Sequence, residues 1–239
     1  YLLFTGDLST TALADEFRRG RKLLEPLFER WGERLIAIPG NHDRYTPRAA
    51  RLKLYEQLFL RRELTYPFVQ DLNREWSVVG FDCSVPRLLS SRGRVTPEML
   101  AAVRDGIVQA REAGRRVLVM GHYPAVYPPE TPPSRDHSLG AAEREALART
   151  LAEAGAEFFL HGHKHRRWAL RVGDVVHLNC GAAGMMGNGP DRRPGYLKLV
   201  LRGGQAARIE AHWLAAFGVG GLTGGAQWQQ SELEPVRLA

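Results

Sequence analysis

Four short clusters of metal-ligating residue types punctuate the chain, each directly after an apolar run. They are Gly6-Asp7, 40–43 (Gly-Asn-His-Asp), Gly121-His122 and 161–165 (His-Gly-His-Lys-His). Aspartate and asparagine offer oxygen, and histidine offers imidazole nitrogen, to divalent cations. One such cluster is a weak signal. Four in series, each at the end of a strand-like run, predict one polynuclear metal site at the rim of a sheet.

The predicted ligands suit a site with two cations. Asp7 can bridge both through its carboxylate, and Asn41 adds a neutral amide oxygen without adding charge. Neutral imidazoles from His122, His163 and His165 suit Zn, Fe, Mn or Ni. Two cations about 3.5–4 Å apart can hold a phosphoryl group and the attacking hydroxide together. The ligand set therefore favours hydrolysis of phosphoesters.

His42 and Asp43 predict a different role in the same cluster. His42 follows a candidate ligand and precedes a carboxylate that can raise its basicity. A protonated imidazole at the rim can hand a proton to a leaving alkoxide. We therefore predict that His42 and Asp43 are catalytic, with Asp43 supporting His42.

Four other histidines have two interpretations each. His161 either joins the site or only packs and hydrogen-bonds beside it. His137, next to Asp136 in a proline-rich stretch, either contacts substrate or lies at the surface. His177 and His212 fall within strand patterns, which favours structural roles over ligation.

Strand-like runs and helical patterns alternate along the first two thirds of the chain. Short apolar runs predict strands over 1–5, 35–38, 76–81, 117–120 and 158–160. Helical spacing predicts helices over 11–31, 48–60, 96–113 and 140–155. Later runs at 168–172, 175–178, 196–201 and 207–213 predict an antiparallel meander. This order indicates a layered α/β sandwich, whose ligands gather at the carboxyl ends of strands.

Composition limits the classes of function. The chain has 239 residues, 44% of them apolar and 25% charged, which is ordinary for a soluble globular protein. A net charge of 33 − 26 = +7 favours anionic partners, but the basic residues are scattered, so a solvated surface is favoured over a nucleic-acid footprint. Cys83 and Cys180 form no C-x-x-C pair, which fits reduced thiols in a cytosolic protein.

The domain prediction places one unit over 1–213 and a loosely ordered, Gly-rich tail over 214–239. No apolar run reaches the length of a membrane-spanning helix.

The four clusters, in this order, resemble those of the calcineurin-like metallophosphoesterases, and the resemblance covers roughly residues 1 to 200. It implies a four-layer αββα sandwich with two mixed sheets around a dinuclear metal centre. It further implies that Asp7 bridges both metals, and that Asn41, His122 and His163 complete one site. His165 would serve the other, and His42 would act as the acid.

The chain departs from the family pattern in one block. Family members carry a D-x-H before the Gly-Asp block, and its Asp and His bind the metal that His165 would hold here. No D-x-H precedes Gly6 in this chain. Because Tyr1 lies inside a strand-like run, we expect a first strand that carries this D-x-H to precede it. A signal peptide, if there is one, would also lie upstream of Tyr1. Without that segment, the chain is expected to bind at most one cation tightly and to hydrolyse phosphodiesters poorly.

The His-Tyr-Pro stretch at 122–124, followed by a proline-rich loop, resembles bacterial cyclic-nucleotide-phosphodiesterase-like members of the family. This implies a cytoplasmic phosphodiesterase in which a metal-bridging hydroxide attacks phosphorus while His42 assists the leaving group. The implied cofactors are two divalent cations (Mn, Fe, Zn or Ni), and the implied partner is a small phosphoester rather than nucleic acid.

Several alternatives stay open from the sequence. A phosphomonoesterase, a lipid A precursor pyrophosphohydrolase and a non-catalytic scaffold on the same fold all fit the clusters. Residues 48–62 are either a basic, apolar surface for peripheral membrane contact or an ordinary packed helix. A dimer is an open alternative to a monomer.

Overall fold

The computed structural model describes residues 1–87, 89–185, 189–202, 205–216 and 227–238. Its strands are β1 (Leu2–Phe4), β2 (Leu35–Ala37), β3 (Phe68–Asp71), β4 (Trp76–Gly80), β5 (Arg116–Met120), β6 (Phe158–His161), β7 (Arg167–Val172), β8 (Val175–Cys180), β9 (Gly195–Arg202), β10 (Gln205–Ala216), β11 (Gln227–Glu232) and β12 (Val236–Arg237). Its α-helices are α1 (Ala14–Leu23), α2 (Glu25–Trp31), α3 (Pro47–Arg51), α4 (Pro97–Glu112) and α5 (Ala141–Ala154).

The strands form one large sheet and two small ones. The large sheet has seven strands in the order β12-β7-β8-β6-β5-β4-β3. Strands β4, β5, β6 and β8 run parallel to one another, while β3 and β7 pair antiparallel with their neighbours. One small sheet pairs β1 and β2 in parallel, and the other is an antiparallel sheet of β9, β10 and β11.

Three hydrophobic cores separate four layers, so the predicted αββα layering is confirmed. One core lies between helices α4 and α5 and the seven-stranded sheet, around Val119 and Phe159. The central core joins that sheet to the two small sheets, with Ile36 and Ile209 facing Leu118. The third core packs β1 and β2 against α1 and the segment 55–60. Successive apolar residues of a strand, such as Leu118 and Val119, point to opposite faces of the large sheet. Both faces are therefore apolar, and each is covered by a packed layer.

The start and end of the long helices follow local sequence signals. Thr96 caps α4 by accepting a hydrogen bond from the backbone N–H of Met99, and Pro97 occupies the first turn. Helix α5 ends at Gly155, whose φ of +83° is accessible to glycine without strain. These signals fix the lengths of the helices that cover the large sheet.

Two of the predicted helices are interrupted. The pattern over 11–31 divides into α1 and α2 at Leu24, because Pro26 has no backbone N–H to continue α1. The pattern over 48–60 divides into α3 and a π-helical segment, Tyr55–Leu60, and Lys53 between them has φ +47°. The apolar periodicity was the right signal for helix but carried no information on these breaks.

The described residues near the C-terminus form two strands within the predicted Gly-rich tail. Strand β11 pairs with β10, and β12 pairs in parallel with β7. The glutamines of β11 are exposed, and a polar run of this kind gives no alternation to reveal an edge strand. Residues 217–226 lie outside the described residues, and the boundary at residue 213 stays a prediction.

In the described ranges, no helix has the length and apolar character needed to cross a membrane. Cys83 and Cys180 are both free, as predicted. Burial raises the pKa of Cys83 to about 12 and that of Cys180 to about 11, so both thiols stay protonated at neutral pH.

Candidate metal centre

The loops after four strands bring Asp7, Asn41, His122 and His163 together, one from each of β1, β2, β5 and β6. His122 Nε2 lies 3.2 Å from Asp7 Oδ2 and 3.0 Å from Asn41 Oδ1. His163 Nδ1 lies 2.9 Å from the same amide oxygen. Ligating atoms of Asp7, His122 and His163 all lie within 4.8 Å of one another. The predicted convergence of these four side chains is therefore what the structure shows.

Hydrogen bonds to backbone carbonyls orient both imidazoles. His122 Nδ1 lies 2.7 Å from the Thr5 carbonyl oxygen, so Nδ1–H donates and Nε2 faces Asp7 and Asn41. His163 Nε2 lies 2.5 Å from the His137 carbonyl oxygen, so its Nδ1 carries the lone pair. Metal-bound histidines are commonly held in this way by a second hydrogen bond on the other ring nitrogen.

The charges in the cluster favour a carboxylate at Asp7, a neutral imidazole at His163 and a proton-binding imidazole at His122. Burial acts to raise the pKa of Asp7, but His122 outweighs it and holds that pKa well below its usual range. Burial, together with the nearby His122, lowers the pKa of His163 to about 3. Burial would also lower the pKa of His122, but the Asp7 carboxylate facing Nε2 raises it above the ordinary value.

These four side chains fit a divalent cation. A carboxylate oxygen, an amide oxygen and two ring nitrogens converge, and the donor N–H of each ring is already committed to a carbonyl. The separations of 2.9–3.2 Å between these atoms suit either a shared proton or a cation placed among them. Mixed oxygen and nitrogen donors of this kind suit Mn, Fe, Zn or Ni.

Two glycines make room for this close approach of the loops. A Cβ on Gly40 would lie 2.1 Å from Asp7 Oδ1 and 2.5 Å from the Asp7 backbone nitrogen. A Cβ on Gly6 would lie 2.5 Å from the Gly40 nitrogen, and Gly6 also has φ +101°. Both glycines are thus required by backbone contact across the site.

Two of the candidate ligands themselves occupy left-handed backbone. Asp7 has φ +64° and His163 has φ +69°, a region that non-glycine residues rarely adopt. His165 follows with φ +50°. Strain of this kind persists where surrounding contacts over-determine the backbone, and it concentrates at functional sites.

Asp43 holds the loops of the site together instead of supporting His42. Its Oδ2 accepts backbone N–H groups of Asp7, Leu8 and Gly40 at 2.8, 3.2 and 2.9 Å. Its Oδ1 accepts the Ser9 backbone N–H at 2.9 Å and the Ser9 hydroxyl at 3.0 Å. The side chain is fully buried. The prediction that Asp43 raises the basicity of His42 is therefore corrected, because every hydrogen bond it makes goes to the loop after β1 or to Gly40.

Burial and the neighbouring Asp7 carboxylate raise the pKa of Asp43 to about 6, against the lowering effect of the N–H donors around it. The next residue, Arg44, fixes the same segment from the other side. It forms a buried ion pair with Glu56, with two hydrogen bonds, and its Nε lies 2.9 Å from Asp82 Oδ2. The segment that carries Asn41 and His42 is thus anchored at two points.

His42 lies at the edge of the cavity and is oriented by a different group. Its Nδ1 lies 2.7 Å from the Thr10 carbonyl oxygen, and its ring stacks on Tyr45 at 6.1 Å between centroids. Its backbone N–H donates to Asp7 Oδ1 at 3.0 Å. With Nδ1–H committed to Thr10, Nε2 is the ring nitrogen available for proton transfer.

A cavity of about 290 Å³ opens beside the ligands. Its lining includes Asp7, Asn41, His42, His163 and His165. His165 thus faces the same space as Asp7 but is not within the tight group of ligands. Among the described residues, Asp7 and His165 are the candidates to bind the family's second metal.

The proline-rich loop lines the same cavity. His137, one of the candidates with two interpretations, belongs to the lining together with Ser91 and Lys164. No sequence signal marks Ser91, which lies in an irregular segment far from the clusters. Lys164 stands between two histidines of the last cluster, and no sequence pattern indicates a role for it.

Other residues fall outside the site. His161 is fully buried, packs 5.2 Å from Phe159, and neither ring nitrogen has a hydrogen-bond partner in the described structure. His177 is buried in β8, and His212 stacks on Tyr196 at 4.8 Å.

One positioning residue escaped the sequence analysis. Asn179, fully buried at the end of β8, donates to the Gly162 carbonyl at 2.7 Å and accepts from the Gly181 N–H at 3.1 Å. It thereby fixes the turn that carries His163. A polar residue directly after the apolar run 175–178 was the one available sign.

Two solved structures share the fold of this chain. A dimetal phosphatase from Danio rerio matches with a TM-score of 0.54 and 14% identity, covering 83% of this chain and 72% of that one. GAP50, the anchor in the inner membrane complex of Plasmodium, matches with a TM-score of 0.55 and 10% identity, covering 98% and 78%. At these identities the likeness shows the fold alone. No curated protein matches the chain.

The family model for calcineurin-like phosphoesterases matches residues 1–167, a span that contains all four ligand clusters. This span is well over half of the 239 residues. The chain belongs to the calcineurin-like phosphoesterase family.

Proposed function

We propose that this chain is a metal-dependent hydrolase of phosphoesters, with phosphodiesters such as cyclic nucleotides as the favoured class. The observation that carries the proposal is the convergence of Asp7, Asn41, His122 and His163 beside an open cavity. Family membership supports phosphoester hydrolysis as the reaction class. The choice of diesters over monoesters rests on the resemblance at residues 122–137.

These four residues would hold one cation, and Asp7 with His165 would contribute to a second. A bound divalent cation would supply Lewis-acid polarisation of the phosphoryl group and would lower the pKa of a coordinated water. The chain itself orients the ligands through the Thr5 and His137 carbonyls and through the Asp43 contacts. This preorganisation keeps the donor atoms in place before substrate arrives.

His42 is proposed to protonate the leaving group. The Thr10 carbonyl fixes its tautomer and ring orientation, and the cavity gives it access to substrate. Stacking on Tyr45 further restricts the ring. A proton donor placed in this way contributes about 10²–10⁴-fold to a reaction whose leaving group is a poor one.

His42→Gln is expected to affect esters differently according to their leaving group. With an alkyl ester, whose alkoxide needs a proton, kcat should fall about 10²-fold or more. With bis(p-nitrophenyl) phosphate, whose p-nitrophenolate leaves unprotonated, the fall should be much smaller. The measurement is kcat over a series of aryl and alkyl diesters for both proteins. Equal losses across the series would remove the acid role from His42.

The proposed function is tested by hydrolysis of bis(p-nitrophenyl) phosphate with and without added Mn²⁺. The chain should be expressed together with whatever residues its gene encodes before Tyr1. We expect turnover that requires metal, and loss of most of it in His122→Ala and Asn41→Ala. His212→Ala is the matched control, because His212 stacks on Tyr196 in β9 and should leave activity unchanged. Metal binding without turnover of any diester or monoester would contradict the proposal.

A non-catalytic scaffold is the second candidate. It is favoured because, among the described residues, the candidate ligand set is complete for one cation and not for two. The similar fold of GAP50, described as an anchor, adds a precedent for the fold in such a role. Bound metal combined with no turnover in the assay above would favour this candidate.

A further inference from the structure

Three residues of the cavity lining lie outside both the ligand set and the proposed acid. Ser91, His137 and Lys164 come from three separate loops, and we refer to them as the donor wall. Ser91 Oγ lies 2.7 Å from His137 Nδ1. A hydroxyl, an imidazole and an ammonium group together offer hydrogen-bond donors and positive charge.

The donor wall is fixed relative to the candidate ligands. The His137 carbonyl accepts the proton of His163 Nε2, so the loop that carries His137 also orients a ligand. The Ser91 backbone is held on both sides: its N–H donates to the Asp136 carbonyl at 3.0 Å, and its carbonyl accepts the Tyr123 hydroxyl at 2.5 Å. Lys164 lies between His163 and His165 in sequence, which places it in the same turn.

The charge of Lys164 has no acidic partner in the described structure. Its Nζ lies over the face of the Tyr127 ring, 5.6 Å from the ring centroid. Asp7 is the one acidic residue in the cavity lining, and it belongs to the ligand set. The ammonium group of Lys164 is half-buried and has no counter-ion, and two further hydrogen-bond donors line the same cavity. An anionic ligand would supply the missing negative charge.

We propose that the donor wall binds a second anionic group of the substrate, a phosphate carried on the alcohol portion of the ester. This inference rests on the proposed phosphoesterase function and names a substrate class for it. The scissile phosphate would occupy the ligand side of the cavity near His42. The second phosphate would contact Lys164 and the Ser91–His137 pair. A cavity of about 290 Å³ is at the small end of ligand sites, which suits a compact substrate.

The test uses two chromogenic diesters that differ in one phosphate. They are thymidine 5′-(p-nitrophenyl phosphate) and the same compound with a 3′-phosphate. The wild-type chain should prefer the 3′-phosphorylated diester by about tenfold in kcat/KM, which corresponds to about 1.4 kcal/mol. Lys164→Met, which keeps the stem of the side chain but removes the charge, should reduce that preference to less than about twofold. Lys164→Arg should retain most of it.

Lys22→Met is the matched control, because Lys22 is exposed on α1, and it should leave both rates unchanged. A wild-type preference of less than twofold would overturn the inference. So would a preference that survives in Lys164→Met. Equal losses on both diesters in Lys164→Met would mean that Lys164 contacts the scissile phosphate, which also overturns it.

A binding measurement separates this inference from the proposed function. Calorimetric titration with thymidine 3′,5′-bisphosphate and with thymidine 5′-monophosphate requires no turnover. The bisphosphate should bind more tightly to the wild-type chain, and Lys164→Met should remove the difference. If neither diester is hydrolysed while this difference is present, the proposed function fails and the anion site stands. If diesters are hydrolysed but the two nucleotides bind equally, the anion site fails alone.

Discussion

Gly40→Ala is expected to abolish tight metal binding by the chain. The new Cβ would lie 2.1 Å from Asp7 Oδ1 and 2.5 Å from the Asp7 backbone nitrogen, so the ligand and its loop would both have to move. Changes that merely disturb the support of a ligand already reduce metal affinity by about 10–100-fold, and this one displaces the ligand itself. Overpacking should also lower the free energy of unfolding by about 1–3 kcal/mol. The measurements are metal titration calorimetry and urea unfolding.

Gly184→Ala provides the matched control, because a Cβ there meets no atom within 4 Å and the backbone is not left-handed. Gly162→Ala is a graded comparison, since its Cβ would lie 3.2 Å from Thr5 Oγ1 and 3.7 Å from His122 Cε1. It should weaken metal binding less than Gly40→Ala does. Unchanged metal affinity in Gly40→Ala would show that Asp7 is not a ligand in the position described.

Asp43→Asn is expected to damage stability and metal binding together. The carboxylate accepts four backbone N–H groups and the Ser9 hydroxyl, and an amide would turn a donor toward some of them. Each buried donor left unpaired costs about 1–3 kcal/mol. We therefore expect a loss of at least about 2 kcal/mol in the free energy of unfolding. Metal affinity should fall about 10–100-fold, because Asp7 and the loop after β2 would separate.

The control for this change is Asp174→Asn, in the exposed turn between β7 and β8. Urea unfolding and metal titration on both variants measure the two effects. A second comparison separates positioning from proton transfer. If Asp43 tuned His42, the variant would lose activity selectively on alkyl esters while keeping its metal affinity. That outcome would contradict the positioning role.

The sequence was most informative where a metal-ligating residue type follows an apolar run that predicts a strand. Asp7, Asn41, His122 and His163 were identified because each is a metal-ligand residue type directly after a buried strand. The layered α/β class followed from the alternation of strands and helices, and the αββα arrangement followed from the family resemblance. Apolar runs also located the strands that carry the ligands to within one or two residues.

Features that depend on long-range contacts were not predictable from one chain. Asp43 was assigned to its sequence neighbour His42, but its partners lie 34–36 residues earlier, apart from Gly40. Ser91 reaches the cavity only because the proline-rich loop folds back over it. The left-handed backbone at Asp7 and His163 could not be read from the sequence, because aspartate and histidine adopt it more often than most residue types but still in a small minority of cases.

The ligands come from two separate sheets. Asp7 and Asn41 follow the two-stranded sheet of β1 and β2, while His122 and His163 follow strands of the seven-stranded sheet. A cation at their meeting point would cross-link the two central layers in the native state and have no equivalent in the unfolded chain. Metal occupancy and thermal stability are then thermodynamically linked, and saturation at 100 times the dissociation constant would add about 2.7 kcal/mol. The melting temperature of the chain would thus report which metal it selects, even where no substrate is known.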